Sequence, residues 1–291
     1  MNDNPKPETL LCGRFRLTLD RPLIMGVVNI TPDSFSDGGQ YFDSELAIAH
    51  ARELIAEGAD ILDIGGESSR PGSMPVPLEE ERRRVLPVLS EITGLGVPVS
   101  VDTTKPQLMR DAIRLGASII NDITALSAPG AADVIAETDA GVCLMHMQGT
   151  PESMQRAPRY GDVVSEVADF LCGQARVLRE RGVAAQRIII DPGFGFGKSD
   201  DHNLLLLNSL STIAARGYAV LAGLSRKSQL GRMTGRPEPQ RRLGSSIAAA
   251  LAAVSNGASI VRVHDVAETR DALLVWQAIE RAAASKGASS R

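Results

Sequence analysis

From residue 23 onward the chain repeats one pattern eight times: a short apolar, β-branched run, then a longer run with helical spacing. The strand-like runs fall at 23–29, 60–64, 97–101, 118–121, 141–146, 187–190, 218–222 and 259–263. Helical spacing occupies 44–57, 78–93, 105–115, 130–138, 162–182, 202–216, 241–256 and 266–283. Several strands follow a glycine placed to end the preceding helix, as in EGAD, LGAS and NGAS; glycine accepts the left-handed φ that closes a helix. Eight such units in about 260 residues is the arithmetic of an α/β (β/α)8 TIM barrel. A doubly wound sheet would carry GxGxxG after its first strand, and here that strand runs into NITPDSFSDGG. Ahead of it, LLCGRFRLTLDRP predicts a short N-terminal hairpin covering the barrel bottom. The expected organisation is therefore an extension and hairpin over 1–21, a barrel over 22–283, and a fraying, flexible tail over 284–291.

Composition narrows the partners. A net charge of −4 and 3% aromatics give no basis for a nucleic-acid surface. Cys12, Cys143 and Cys172 are scattered, without a CxxC pair, which fits a reducing cytosol. No segment approaches the roughly 18 apolar residues of a membrane span, and the polar N-terminus lacks signal-peptide character. A cytoplasmic protein without a membrane partner is expected.

In such a barrel the loops that follow the strands share one face, and that face carries the chemistry. Here those loops begin with Asn29; Asp63 and GGESSRPG; Asp102; Asn121-Asp122; Met145-His146; Asp191 and PGFGFGK; Ser225-Arg226-Lys227; and Arg262 with His264. Any one of these has a plain structural explanation. An Asp at a strand end often caps the next helix, and DPG is commonly a turn. Convergence of polar groups from all eight strands on one mouth is what capping does not require. Carboxylates and an amide (Asp102, Asn121, Asp191) suit the donor-rich edge of a guanidine-like heterocycle. The cations Arg70, Arg226, Lys227, Arg262 and His264 suit a phosphorylated or carboxylated ligand. Glycines at 38–39, 65–66 and 193–197 permit close backbone approach, although GFGFGK lacks P-loop spacing.

Read in order, MGVVNITPDSFSDGG, DIGGESSRPG, SVDTTKP, INDI, HMQGTP, DPGFGFGK, LSRKS and RVHDV closely resemble the signature segments of bacterial dihydropteroate synthases, from about residue 22 to 283. The resemblance implies condensation of 6-hydroxymethyl-7,8-dihydropterin pyrophosphate with para-aminobenzoate, giving dihydropteroate and pyrophosphate. It places the pterin against Asp102, Asn121, Met145, Asp191, Phe196, Lys227 and Arg262. It places para-aminobenzoate against Phe35, Ser69, Arg70, Pro71, Lys227 and Ser228, and the pyrophosphate on Asn29, Arg70, Arg262 and His264. Asn29 and Asp37 would hold Mg²⁺, with Asp102, Asp191, Lys227, Arg262 and His264 carrying catalysis. Asp63 would belong to the base of the second loop. One departure is Ser69, where the family has Thr, which keeps the hydroxyl and loses a methyl. The family further implies dissociative departure of pyrophosphate, closure of the first two loops, sulfonamide inhibition and a homodimer formed on the side of the last three strands. Two other readings share the pterin-edge set: a methyltetrahydrofolate methyltransferase working with a corrinoid protein, and a non-catalytic pterin-binding barrel.

Overall fold

The computed structural model describes residues 7–30, 40–70 and 72–288. It begins with an antiparallel hairpin, β1 (Thr9–Cys12) and β2 (Phe15–Thr18), in which Cys12 faces Phe15 across a turn at Gly13. Gly13 has φ +55°, the left-handed conformation that glycine adopts without penalty. Eight parallel strands follow: β3 (Leu23–Asn29), β4 (Ile61–Gly65), β5 (Val99–Asp102), β6 (Ile119–Asp122), β7 (Gly141–Met145), β8 (Ile188–Asp191), β9 (Ala219–Ala222) and β10 (Ile260–Val263). They pair in chain order, and β10 closes the barrel on β3 with Ile260 opposite Leu23. All eight predicted strands are present, with boundaries moved by at most two residues at either end.

These strands read as nearly continuous apolar runs because both of their faces are buried. Alternation sorts the side chains. Ile24, Val28, Leu62, Ile64, Val101, Ile120 and their counterparts point outward and pack with the helices. Met25, Ile61, Ile119, Cys143, Ile189, Leu221 and Ile260 fill the lower interior of the barrel, together with Leu10 and Cys12 of the hairpin. The hairpin thus plugs the N-terminal end, as expected. Its docking is tight: Gly13 N donates to Asp139 O at 2.8 Å. A β-carbon added at Gly141 would lie 3.1 Å from Cys12 Cβ.

The helices are α1 (Gln40–Glu57), α2 (Leu78–Ile92), α3 (Pro106–Arg114), α4 (Ala131–Ala136), α5 (Val163–Glu180), α6 (Asp200–Asn208), α7 (Leu210–Ala214), α8 (Ser228–Thr234), α9 (Leu243–Ser255) and α10 (Val266–Ala288). Local chemistry starts them. Asp162 Oδ1 accepts from Val164 N and Ser165 N to open α5, and Ser199 with His202 forms a reciprocal capping box on α6. Amphipathic burial holds them: α2 inserts Val85, Val88, Leu89 and Ile92, each contributing roughly 1.5–3 kcal/mol. Four departures from the expected helices exceed two residues, the first being that α1 begins at Gln40 and not at 44. The single helix over 202–216 is two, because Ser209 leaves helical geometry at φ −103°, ψ 17°. The loop after β9 contains α8, closed by Gly235 at φ +65°. Finally, α10 runs through Ala288, past the expected end at 283.

Candidate active site

Towards the C-terminal ends of the strands the barrel interior turns from apolar to charged. In parallel register Val27 lies beside Asp63, Asp63 beside Ser100, and Asp102 beside Asn121. Arg262, pointing inward from β10, donates from Nε to Asp63 Oδ2 at 2.7 Å, and its Nη2 lies 3.6 Å from Asp102 Oδ2. Asn121 Nδ2 reaches the same Asp63 oxygen at 3.4 Å. Asp63 is fully buried, and its Oδ1, like Ser100 Oγ beside it, has no hydrogen-bond partner among the described residues. Asp63 is thus the buried counter-ion of Arg262, a role its sequence position left open.

Two carboxylates around one guanidinium do not share it equally. Burial, and then the neighbouring Asp63, push the Asp102 carboxyl well above the usual carboxylate range, against the pull of Arg262. Across the barrel, burial also raises Asp191, while the Gly193 amide, donating to Asp191 Oδ1 at 2.7 Å, opposes that shift. Lys227 Nζ sits 4.2 Å from the centre of the Phe196 ring. Burial, and then Arg262, lower its ammonium to about 8. Phe196 packs with Met145, Ile123 and Met154 to form an apolar wall at the same level. A flat ring bordered by hydrogen-bond donors would meet acceptors at Asp102 and Asp191, amide groups at Asn121 and an apolar face at Met145 and Phe196.

The loop bearing Phe196 is organised by Lys198, which the sequence showed only as the end of GFGFGK. Its buried Nζ, with three protons to give, lies among four acceptors: the carbonyls of His146, Gly193 and Phe196 at 3.2, 3.0 and 3.0 Å, and His146 Nδ1 at 3.0 Å. Burial, then the Lys198 charge, hold His146 down at about 3, so the ring is neutral and accepts. Gly193 and Gly197 have φ +67° and +62°; β-carbons there would collide with the His146 and Gln148 backbones.

The cations divide into two kinds. Arg226, at φ +58°, is clamped by Asp265 at 2.5 and 3.1 Å. Its amide donates to Ser246 Oγ, and its carbonyl accepts from Arg242. Arg226, the residue before Lys227, is therefore held by the protein's own groups. His264 Nδ1 pairs with Ser225 Oγ at 3.0 Å. Burial, followed by Arg262, Arg226, Arg70 and Lys227, holds His264 down at about 3. That combination gathers Arg262, Arg70 and Lys227 around a neutral His264, which suits an incoming polyanion. Arg70 is exposed and Ser69 half-buried on the loop after β4, and Ser228 is exposed at the first turn of α8. Asn29 ends β3, half-buried. Phe35, Asp37 and Pro71 lie outside the described residues. Asp122 does follow the plain explanation: its carboxylate accepts from Thr124 N, Thr124 Oγ1 and Leu126 N and shapes the next turn.

Comparison with known proteins agrees with the barrel fold. A family profile described as a pterin binding enzyme matches residues 25–264. A dihydropteroate synthase of Neisseria meningitidis serogroup C is 53% identical over 271 residues, covering 92% of this chain and 96% of that protein. The solved Burkholderia cenocepacia dihydropteroate synthase complexed with 7,8-dihydropteroate has a TM-score of 0.88 and 51% identity, over 96% of this chain and 99% of that one. The Xanthomonas albilineans dihydropteroate synthase with 4-aminobenzoic acid has a TM-score of 0.89 and 51% identity, over 94% of this chain and 98% of that one.

Proposed function

The chain belongs to the pterin binding enzyme family, and from that premise we propose how its barrel mouth carries out the dihydropteroate synthase reaction. The reaction is a transfer: the pterin methylene carbon leaves pyrophosphate and bonds to the amine of para-aminobenzoate. The observation that carries the assignment of the pterin site is the half-charged interior, where Asp102, Asn121 and Asp191 lie at or next to the ends of their strands and Met145, the register neighbour of Asp191, joins Phe196 in an apolar wall. We assign Asp102, Asn121, Asp191 and Lys227 to the pterin edge, and Arg262 to one face of the ring. The neutral His264, Arg262 and Arg70 take the pyrophosphate and stabilise the charge that develops as it departs. Asp102 and Asp191 favour the cationic pterin that remains. Para-aminobenzoate is assigned to Ser69, Arg70, Lys227 and Ser228, with Phe35 and Pro71 proposed to complete its pocket; sulfonamides would compete there. An aniline is already unprotonated near neutral pH, so no dedicated strong base is required.

The donor set fits Mg²⁺ arriving with the substrate. Among the described residues no group of three or more His, Cys, Asp or Glu side chains could hold a metal. Mg²⁺ characteristically uses one or two protein oxygens and completes its shell with phosphates and waters. Asn29 supplies such an oxygen at the end of β3, and Asp37 is the proposed second ligand. When bound, the ion neutralises the pyrophosphate leaving group.

A homodimer and a cytoplasmic location complete the proposal. Leu204 and Leu205 of α6 and Leu274, Val275 and Ile279 of α10 are exposed on helices that both pack against α9, an apolar surface suited to a second copy. No helix among the described residues is long and apolar enough to cross a membrane. The test of function mixes protein, pterin pyrophosphate, para-aminobenzoate and Mg²⁺. Equal yields of dihydropteroate and pyrophosphate, lost with a chelator, are expected. Pterin binding without either product would favour the methyltransferase or binding-protein readings.

A further inference from the structure

The loop after β4 is tied at its base by a charged cluster that the proposed chemistry does not use. Lys105, three residues beyond Asp102 and just ahead of α3, places Nζ 2.5 Å from Glu67 Oε2 and also donates to Glu81 Oε2. Glu81 lies in the first turn of α2 with 0% exposure, and its Oε1 has no partner among the described residues. Glu67 Oε2 additionally accepts from Val76 N at 3.1 Å. Arg84, further along α2, donates to Gly66 O at 2.8 Å while Glu80 holds its Nε at 2.7 Å. Gly66 itself is seated so closely that a β-carbon would lie 2.8 Å from Val85 Cγ2.

The two ends of one segment, Gly66–Glu67 and Val76, are therefore pinned to α2 and to the strand end that carries Asp102. Between them, among the described residues, Ser69 and Arg70 have no hydrogen bond to that base. The tip is tied by Arg70 N to Ser68 Oγ at 3.4 Å, Ser73 N to Arg70 O at 3.1 Å, Ser73 Oγ to Ser68 O at 2.5 Å, and Gly72 N to Pro151 O at 3.0 Å. Burying a carboxylate with one oxygen unpartnered is costly, and apolar residues of similar volume would stabilise the same space at least as well. A cluster of this kind is suited to fixing one geometry. The charge of Arg70 is felt at Lys227 and His264, so the direction in which the segment leaves its base decides how the second-substrate side of the pocket is formed.

We infer that Lys105 is a positioning residue for the second substrate: by holding Glu67 and Glu81 together it sets the base of the 66–76 segment, and so the placement of Ser69 and Arg70. The inference rests on the assignment of Ser69 and Arg70 to para-aminobenzoate. The test uses full-length Lys105→Met, Lys105→Arg and Glu67→Gln, with Arg70→Ala as a separate arm. Expected for Lys105→Met and Glu67→Gln is a rise of about tenfold in KM for para-aminobenzoate, with pterin pyrophosphate affinity within about twofold of the parent. Lys105→Arg, which keeps the charge, should recover most of that loss. Hydrogen exchange of a peptide spanning 68–76 should quicken in Glu67→Gln while α2 is unchanged. Glu67 is 27% exposed, so Glu67→Gln serves if Lys105→Met does not fold. Unchanged exchange in Glu67→Gln, or equal weakening of both substrates, overturns the clamp. An unchanged KM for para-aminobenzoate in Arg70→Ala overturns the assignment on which the substrate half stands, while the exchange result still judges the clamp.

Discussion

Replacing Asp63 by Asn removes the buried partner of Arg262 while keeping the volume, and its consequences can be worked from the distances. Arg262 would lose a 2.7 Å ion pair and keep Asp102, which already lies 3.6 Å away, as its remaining carboxylate. Opposite charges near 4 Å attract by about 4 kcal/mol at an effective dielectric of 20, before desolvation and screening. Arg262 is a quarter exposed, so about half of that, ~2 kcal/mol, is a reasonable net figure for the strengthening of the existing Arg262–Asp102 contact once Asp63 no longer holds the Asp102 carboxyl up. The pterin must part that pair to reach Asp102, which predicts a Kd for the pterin pyrophosphate weakened by about 30-fold. Loss of the original buried pair should also lower Tm by several degrees, at about 2–4 °C per kcal/mol for chains of this size. Calorimetric titration with the pterin pyrophosphate and a thermal scan measure both. A variant with lower Tm and a Kd within twofold of the parent would refute the idea that Asp63 acts on the ligand through Arg262.

Three further outcomes are expected. Asp102 has a folded-state pKa above its unfolded value, so the folded protein holds more protons than the unfolded chain between them, and stability falls as pH rises through that interval. Asp102→Asn should therefore flatten the pH dependence of Tm and raise Tm at pH 7 relative to the parent, while pterin binding is lost; a lower Tm at pH 7 would contradict this. His264 is held down at about 3 in the free protein, and an arriving pyrophosphate should raise it, so binding near pH 6 should take up protons. Calorimetry in buffers of different ionisation enthalpy reads that uptake, and its absence would remove His264 from the pyrophosphate site. Leu10→Ala should cost about 2–5 kcal/mol by opening the barrel floor, with little change in substrate Kd; a chemical-denaturation midpoint matching the parent would show that the hairpin is not part of the core.

The barrel was legible because each strand is buried on two faces and each helix on one, which leaves local periodicities that survive in the sequence. Asp102, Asn121 and Asp191 were legible for a related reason: a polar residue at the end of an apolar run, repeated around a closed sheet, points to one mouth. What escaped are pairings that exist only after closure. Asp63 and Arg262 are 199 positions apart and meet because β4 and β10 both face the barrel axis. Arg226 read as a free cation, and only the approach of β9 and β10 shows it locked to Asp265. Lys198 looked like the last residue of a glycine loop, whereas its Nζ is the point around which that loop folds. The two-turn α8 is too short to impose a period on the sequence, and Asp122 shares its motif with Asn121 but faces the opposite side of the strand.

The central claim, that the charged upper half of the barrel interior is the pterin site, is tested most directly by titrating the pterin pyrophosphate into the parent and Asp191→Ala proteins. The account predicts saturable binding to the parent and a loss of at least about 100-fold in the variant, two buried hydrogen bonds' worth of discrimination, with the folded structure retained. An Asp191→Ala protein that binds the pterin as tightly as the parent would contradict it.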